Sequence, residues 1–176
     1  MGSLKRTVAL VGMMGAGKSS LGRRLARRLE APFRDADAEI EAAAGCTINQ
    51  IFERYGEEAF RDCERKVIAR LLTDPPHVLA TGGGAFIDDH IREQVKASAL
   101  SVWINVPLDV LVARVERRDT RPLLRNGNAR DIVSNLLTQR KGIYAQADLT
   151  ITGEDGPHGA SVSRIMAALR ERDMLG

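Results

Sequence analysis

The chain has 176 residues, of which 44% are hydrophobic and 28% are charged, and its formal net charge at pH 7 is +3. These values are typical of one ordinary globular domain, and no apolar run approaches the roughly 20 residues of a membrane span. No signal peptide precedes the apolar segment Thr7–Val11, so we expect a cytoplasmic protein. The modest charge and low aromatic content disfavour nucleic-acid binding, and Cys46 and Cys63 lack metal-binding spacing.

Five short segments are predicted as strands, and helical segments alternate with them. Thr7–Val11 has the continuous apolar character of a buried parallel strand. The other predicted strands are Phe33–Asp35, Val78–Thr81, Ser101–Val106 and Leu149–Thr152. Because strands that alternate with helices form a parallel sheet covered on both faces, we predict an α/β fold of three layers, α/β/α, with a five-stranded parallel sheet.

Capping and breaking residues predict where the helices begin and end. Pro32 ends the first helix, Gly45 the second, and Gly56 separates the third from the fourth. Thr47 and Gln50 have the spacing of a capping box. The predicted helices are Ser19–Leu29, Asp37–Ala44, Thr47–Tyr55, Glu57–Leu72, Asp88–Ala97, Leu108–Arg118, Ala129–Gln146 and Ser161–Arg172.

The strongest functional signal is residues 12–19, GMMGAGKS, which match the phosphate-binding loop pattern G-x-x-x-x-G-K-[ST]. A predicted strand precedes the loop and a predicted helix follows it, the context in which backbone N–H groups surround phosphate oxygens. We expect Lys18 to reach the β- and γ-phosphates and the Ser19 hydroxyl to bind Mg²⁺. A glycine-rich turn that binds nothing is disfavoured, because the whole pattern is present in this context.

Other candidate residues follow the second and third strands, at the sheet edge where ligands bind. Of Asp35 and Asp37, one carboxylate is expected to hold Mg²⁺ and the other to bind an acceptor hydroxyl, although either can instead cap the next helix. Residues 82–84 are three glycines, which allow close approach to a ligand or form a loose turn. Thr81 stands where a Walker B strand would carry aspartate, which favours Asp35 as the metal ligand.

Several arginines have two interpretations each. Arg61 lies four residues after Glu57 and three before Glu64, so a surface ion pair and a substrate contact fit the spacing equally well. Arg140 falls on an inward helix face, where a cation usually meets an anion such as a substrate carboxylate. The basic segment 114–130 predicts either a lid that closes over ATP or a solvated face. Its arginines are Arg114, Arg117, Arg118, Arg121, Arg125 and Arg130.

From about Thr7 to Arg172 the sequence resembles the shikimate kinases. The phosphate loop alone occurs in many nucleotide-binding proteins, whereas six elements in this order are highly specific. They are Gly12–Ser20, the F-x-D-x-D element Phe33–Asp37, the G-E-x-x-F-R element Gly56–Arg61 followed by Glu64, the glycine triplet after Thr81, the R-P-L-L element Arg121–Leu124, and the R-x-x-x-Y element formed by Arg140 and Tyr144. The segment 153–158, at the position of the adenine loop, departs from the family pattern.

The resemblance implies a P-loop kinase fold with a helical lid, related to the nucleoside monophosphate kinases. It implies one domain over residues 1–176, with a core at 7–172, a shikimate-binding region at 33–65 and a lid at 114–128. The implied reaction is ATP-dependent phosphorylation of the 3-hydroxyl of shikimate, which gives shikimate 3-phosphate and ADP on the route to chorismate and aromatic amino acids. One Mg²⁺ ion is expected with ATP, in a monomer without nucleic-acid or membrane partners.

The resemblance also implies roles for residues around the acceptor. Asp37 would bind the ring hydroxyls and act as the base or stand in for one. Arg61 and Arg140 would hold the carboxylate, and the Gly83 backbone would contact a hydroxyl. The remaining implied substrate contacts are Glu64, Gly82 and Gly84.

On the nucleotide side, Asp35 would hold Mg²⁺ through water beside Ser19. Arg121 would swing in with the lid as a catalytic residue together with Lys18, and Arg114 would lie near adenine. The remaining implied ATP contacts are Gly12, Gly15, Ala16, Gly17 and Ser20.

Other classes of protein fit the sequence less well. A related small-molecule kinase that acts on another polyhydroxy acid, such as gluconate, would keep the phosphate loop but need different acceptor residues around Asp37. A nucleoside monophosphate kinase would need a second base pocket. A GTPase switch would carry the guanine-reading Asn-Lys-x-Asp pattern, which is absent from the sequence.

Overall fold

The computed structural model describes residues 3–117, 128–153 and 158–176. Within these ranges five strands form one parallel sheet in the order β2-β3-β1-β4-β5. The strands are β1 (Thr7–Val11), β2 (Phe33–Asp35), β3 (Val78–Ala80), β4 (Ala99–Asn105) and β5 (Leu149–Thr152). The predicted five-stranded parallel sheet is confirmed. Leu10 of the central β1 is in register with Ala80 on one side and Val102 on the other, so the carboxyl ends of β1, β3 and β4 meet at one edge.

Helices connect the parallel strands and cover the sheet. They are α1 (Lys18–Leu29), α2 (Ala36–Ala44), α3 (Ile48–Leu71), α4 (Asp89–Ser98), α5 (Leu108–Arg117), α6 (Ala129–Tyr144) and α7 (Gly159–Glu171). Where both ends are described, the predicted and observed ends differ by no more than about two residues, the usual scatter of helix and strand boundaries. A short 3₁₀ turn at Ala85–Ile87 was not predicted.

The break that the sequence predicts at Gly56 is confirmed as a kink within α3. Gly56 has φ 86° and ψ 175°, a non-helical conformation at which the chain changes direction between two helical halves. The first half begins with the predicted capping box: the Gln50 amide donates to the Thr47 hydroxyl at 3.1 Å, and the Thr47 amide donates to the Gln50 side chain at 2.9 Å. α3 therefore consists of two helical segments that meet at a kink.

The core lies on both faces of the sheet, as a parallel sheet requires. Every residue of β1 is buried, and α1 packs against the sheet with Leu21, Leu25 and Leu29, which confirms the four-residue spacing read from the sequence. Cys46 and Cys63 are half-buried free thiols. In the part of the chain that the structure describes, no helix combines the length and apolar character needed to cross a bilayer.

Candidate active site

The phosphate loop connects the buried β1 to the N-terminus of α1. Gly17 is the N-cap of α1 with φ 87°, a left-handed conformation that other residues rarely adopt. The first turn of α1 begins at Lys18, so the backbone N–H groups of that turn and the positive end of the helix dipole face the loop. This geometry favours binding of an anion such as phosphate.

Lys18 lies folded against the loop that precedes it. Its ammonium donates to the carbonyls of Gly12 at 2.5 Å and Met13 at 3.1 Å, and the residue is 8% exposed. The cation is therefore held at the mouth of the loop, where phosphate oxygens can compete for its N–H donors.

Ser19 and Asp35 form a pair of hard oxygen ligands beside the loop. The Ser19 hydroxyl donates to Oδ2 of Asp35 at 2.6 Å. The other oxygen of Asp35, Oδ1, accepts from the amides of Asp37 at 3.0 Å and Ala38 at 3.3 Å and caps α2. Hydroxyl and carboxylate oxygens suit Mg²⁺. Asp35 thus caps a helix with one oxygen while its second oxygen faces the serine of the phosphate loop.

A cavity of about 470 Å³ opens over the loop and is rich in cations. Its walls include the predicted residues Gly15, Ala16, Gly17, Lys18, Ser19, Ser20, Asp35 and Arg114, together with Arg23, Arg117 and His158. Gly12 is not among the lining residues; a Cβ there would lie 2.9 Å from the carbonyl of Ile104 in β4, so this glycine packs against the sheet. We call this space the nucleotide cavity.

Arg114 and His158 lie side by side against the loop. Arg114 donates to the Gly15 carbonyl at 3.1 Å, and a Cβ on Gly17 would meet the His158 ring at 3.0 Å and the Arg114 guanidinium at 3.2 Å. Burial, reinforced by the positive charges of Arg114 and Arg24, lowers the pKa of His158, which leaves the imidazole neutral at pH 7. The sequence did not indicate His158, because the loop that leads to it does not align with the family pattern.

A second cavity of about 410 Å³ lies beside the first, and we call it the acceptor cavity. It contains every predicted substrate contact: Asp37, Arg61, Glu64, Gly82, Gly83, Gly84 and Arg140. Asp37, Gly82 and Gly83 line both cavities. A hydroxyl bound in one cavity and a phosphate bound in the other would therefore meet at these residues.

Some walls of the acceptor cavity were not predicted as site residues. They include Phe52 and Phe60 on α3, whose ring centroids are 4.9 Å apart, and Met14 of the phosphate loop. The sequence shows these side chains only as apolar positions, and nothing in their spacing distinguishes a cavity wall from the core.

Arg61 pairs with one exposed and one buried carboxylate. It lies 3.7 Å from Glu57, which is 60% exposed at its side chain, and 2.9 Å from Glu64, which is 1% exposed. Burial raises the pKa of Glu64, and the charge of Arg61 opposes that shift. Oε2 of Glu64 has no hydrogen-bond partner among the described residues. A surface ion pair therefore does not fully describe Arg61, because its guanidinium and the buried Glu64 carboxylate line the acceptor cavity.

Arg140 reaches the acceptor cavity from α6, as its inward position predicts. Its Nη1 donates to the Gly83 carbonyl at 3.3 Å, and the hydroxyl of Tyr144, one turn later, donates to the same carbonyl at 2.5 Å. The predicted lid contact Arg121 and most of the lid segment 114–128 lie outside the described residues, as do residues 154–157 of the predicted adenine loop.

Together, these observations define a class of protein. A phosphate loop on a parallel sheet, with a hydroxyl–carboxylate pair beside it and an acceptor cavity meeting the nucleotide cavity, is a P-loop phosphotransferase.

Comparison with known proteins narrows the class. A family model described as shikimate kinase matches residues 14–170. The shikimate kinase of Paramagnetospirillum magneticum is 54% identical over 168 residues, which are 96% of this chain and 86% of that protein. That of Caulobacter vibrioides is 51% identical, over 94% of this chain and 83% of that protein. The chain belongs to the shikimate kinase family.

Solved structures agree with this assignment. The shikimate kinase of Acinetobacter baumannii in complex with shikimate is similar at a TM-score of 0.92 and 36% identity, over 95% of this chain and 94% of that one. A gluconokinase from Sinorhizobium meliloti has a TM-score of 0.60 and 16% identity over 97% of this chain and 98% of its own. The second likeness shows only the fold.

Proposed function

We propose that this protein transfers the terminal phosphoryl group of ATP to the 3-hydroxyl of shikimate, which gives shikimate 3-phosphate and ADP on the route to chorismate and aromatic amino acids. The observation that carries the proposal is the junction of two cavities at Asp37, Gly82 and Gly83. An acceptor hydroxyl and a terminal phosphate can approach each other there, and such positioning is the main requirement of phosphoryl transfer.

On the nucleotide side, the phosphate loop and Lys18 would bind the phosphates, and Arg114 would bind near the nucleoside. Ser19 and Asp35 would hold one Mg²⁺ ion, which neutralises charge on the β- and γ-phosphates. The 2.6 Å contact between Ser19 Oγ and Asp35 Oδ2 supports this assignment, because it brings two oxygen ligands together at the edge of the nucleotide cavity.

On the acceptor side, Asp37 would hydrogen-bond the hydroxyl that attacks and accept its proton during transfer. Arg61 and Arg140 would hold the carboxylate, since guanidinium groups bind carboxylates in a fixed geometry. Phe52 and Phe60 provide an apolar wall for a ring face. A loose transition state needs little proton abstraction before the phosphoryl group leaves, so the positioning role of Asp37 can outweigh its basicity.

The test is ADP release by the purified protein with Mg²⁺-ATP and shikimate, with the product identified by ³¹P NMR. Shikimate should stimulate ADP release and gluconate should not. Stimulation by gluconate but not by shikimate would replace the proposal with the kinase of another polyhydroxy acid.

Variants of the two arginines test the carboxylate assignment. Arg61→Ala and Arg140→Ala should each raise KM for shikimate by about tenfold or more, because a charged partner is lost, while KM for ATP stays close to the wild-type value. Normal shikimate affinity in both variants would refute the assignment of Arg61 and Arg140 to the substrate carboxylate. The catalytic role of Arg121, a monomeric state, a single domain and a cytoplasmic location remain predictions from the sequence.

A further inference from the structure

Tyr144 lies behind the acceptor cavity and lines neither cavity. It is completely buried at the end of α6, and its ring stacks on Trp103 with centroids 5.8 Å apart. Its hydroxyl donates to the Gly83 carbonyl at 2.5 Å. The tyrosine therefore contacts the backbone that separates the two cavities without facing a ligand.

The Gly83 carbonyl accepts from two side chains of the same helix. Tyr144 donates the shorter bond, and Arg140 Nη1 donates the longer one at 3.3 Å. On its other side Gly83 packs on the phosphate loop, where a Cβ would lie 3.2 Å from the Met14 amide nitrogen. This one peptide thus contacts the loop, the acceptor arginine and the buried tyrosine.

We propose that Tyr144 is a positioning residue for the acceptor: its hydroxyl satisfies the Gly83 carbonyl, so that the Arg140 guanidinium can turn to the substrate carboxylate. The inference rests on the proposed function and deepens it, because it assigns a role to a side chain that does not contact the substrate.

The physical reason is the cost of leaving a partly buried carbonyl without a donor. Without the tyrosine hydroxyl, Arg140 would be the remaining described side-chain donor to Gly83, and turning it toward a substrate would leave that carbonyl unpaired. Burial raises the pKa of Tyr144 and outweighs the charge of Arg140, its hydrogen bond to the phenol and the charge of Arg61, so the phenol keeps its proton and remains a donor at neutral pH.

The test is Tyr144→Phe, which keeps the ring stacked on Trp103 and removes only the hydroxyl. KM for shikimate should rise about tenfold, which corresponds to about 1.4 kcal/mol, while KM for ATP changes less than about twofold. The control is Tyr55→Phe, because Tyr55 is 67% exposed and the substitution removes the same hydroxyl from the surface. The control should leave both KM values unchanged.

A double-mutant cycle separates positioning from a general effect on the fold. In an Arg140→Ala background, Tyr144→Phe should raise KM for shikimate less than about twofold, because the arginine through which it acts is absent. An equal rise in both backgrounds would overturn the proposal. An unchanged KM for shikimate in Tyr144→Phe would also overturn it. Loss of folding in Tyr144→Phe, followed by Trp103 fluorescence and thermal melting, would overturn it as well, because the hydroxyl would then have a structural role. Absence of shikimate turnover in the wild type would instead refute the proposed function.

Discussion

Alanine at Gly84 should displace Arg61 without disturbing the backbone. A Cβ at this position would lie 2.6 Å from Nη2 and 2.8 Å from Nη1 of Arg61, closer than real Cβ contacts. Gly84 has φ −104° and ψ 0°, outside the left-handed region, so the backbone conformation does not exclude alanine. The strain therefore falls on the guanidinium, the far end of a flexible side chain, which has to move.

The size of the effect follows from what Arg61 contacts. Its Nη1 donates to the buried Glu64 at 2.9 Å, and its guanidinium faces the acceptor cavity. A hydrogen bond to a charged group contributes about 1.5–3 kcal/mol, so Gly84→Ala should raise KM for shikimate by roughly tenfold to a hundredfold. Gly84 does not line the nucleotide cavity, so KM for ATP should change less than about twofold.

The assay is coupled ADP release at varied shikimate concentration, with thermal melting in parallel. The matched control is Gly142→Ala on α6, where a Cβ would meet nothing within 4 Å. It should leave KM unchanged and raise stability by up to about 1 kcal/mol, because alanine favours the helix. An unchanged KM for shikimate in Gly84→Ala would refute the placement of Arg61 in the acceptor site.

Four further substitutions test three individual carboxylates. Asp37→Asn should lower kcat by about a hundredfold or more and spare ATP binding in calorimetry; normal turnover would remove its assigned role. Asp35→Asn should raise the Mg²⁺ concentration that activity requires, with little loss of stability. Asp35→Ala should do the same and also lose the cap of α2, which lowers the free energy of unfolding in denaturant by about 1 kcal/mol. Equal stability of the two variants would contradict the capping bond. The free energy of unfolding of the wild type minus that of Glu64→Gln should fall as pH rises from the ordinary glutamate value of 4.5. The raised pKa of Glu64 means that the folded state binds the proton more tightly than the unfolded state. The stability that the protonated glutamate contributes is therefore fully present below the unfolded pKa and is lost as pH rises through the folded pKa. A difference between wild type and Glu64→Gln that does not change with pH would contradict the raised pKa.

Asp35 shows what sequence reasoning can and cannot resolve. The spacing of Asp35 and Asp37 left open whether each carboxylate caps a helix or serves a ligand. In the structure Asp35 divides its two oxygens between the α2 amides and Ser19. The division depends on how β2 lies beside the phosphate loop, a tertiary relation that local spacing does not contain.

The same limit applies to the ion pairs and the cavity walls. Spacing predicted the pairs of Arg61 with Glu57 and Glu64 but not that only Glu64 is buried, because burial is decided by what packs over α3. The strands, the helices and the phosphate loop were predictable, since each has a local signal in periodicity, caps or glycines. His158 and the Tyr144 hydroxyl have no such signal, and their contacts arise only when distant segments pack together.

The break at Gly56 divides the acceptor cavity into two parts of different origin. Before the break, Ile48 and Phe52 form part of its wall; after it, Arg61 and Glu64 supply charge. Since the helix restarts at Gly56, substitution of Ile48, which lies before the break, should alter the shape and size of the molecules admitted without shifting the arginine beyond it. Selectivity for substituents on the substrate ring and binding of the substrate carboxylate can therefore be redesigned separately.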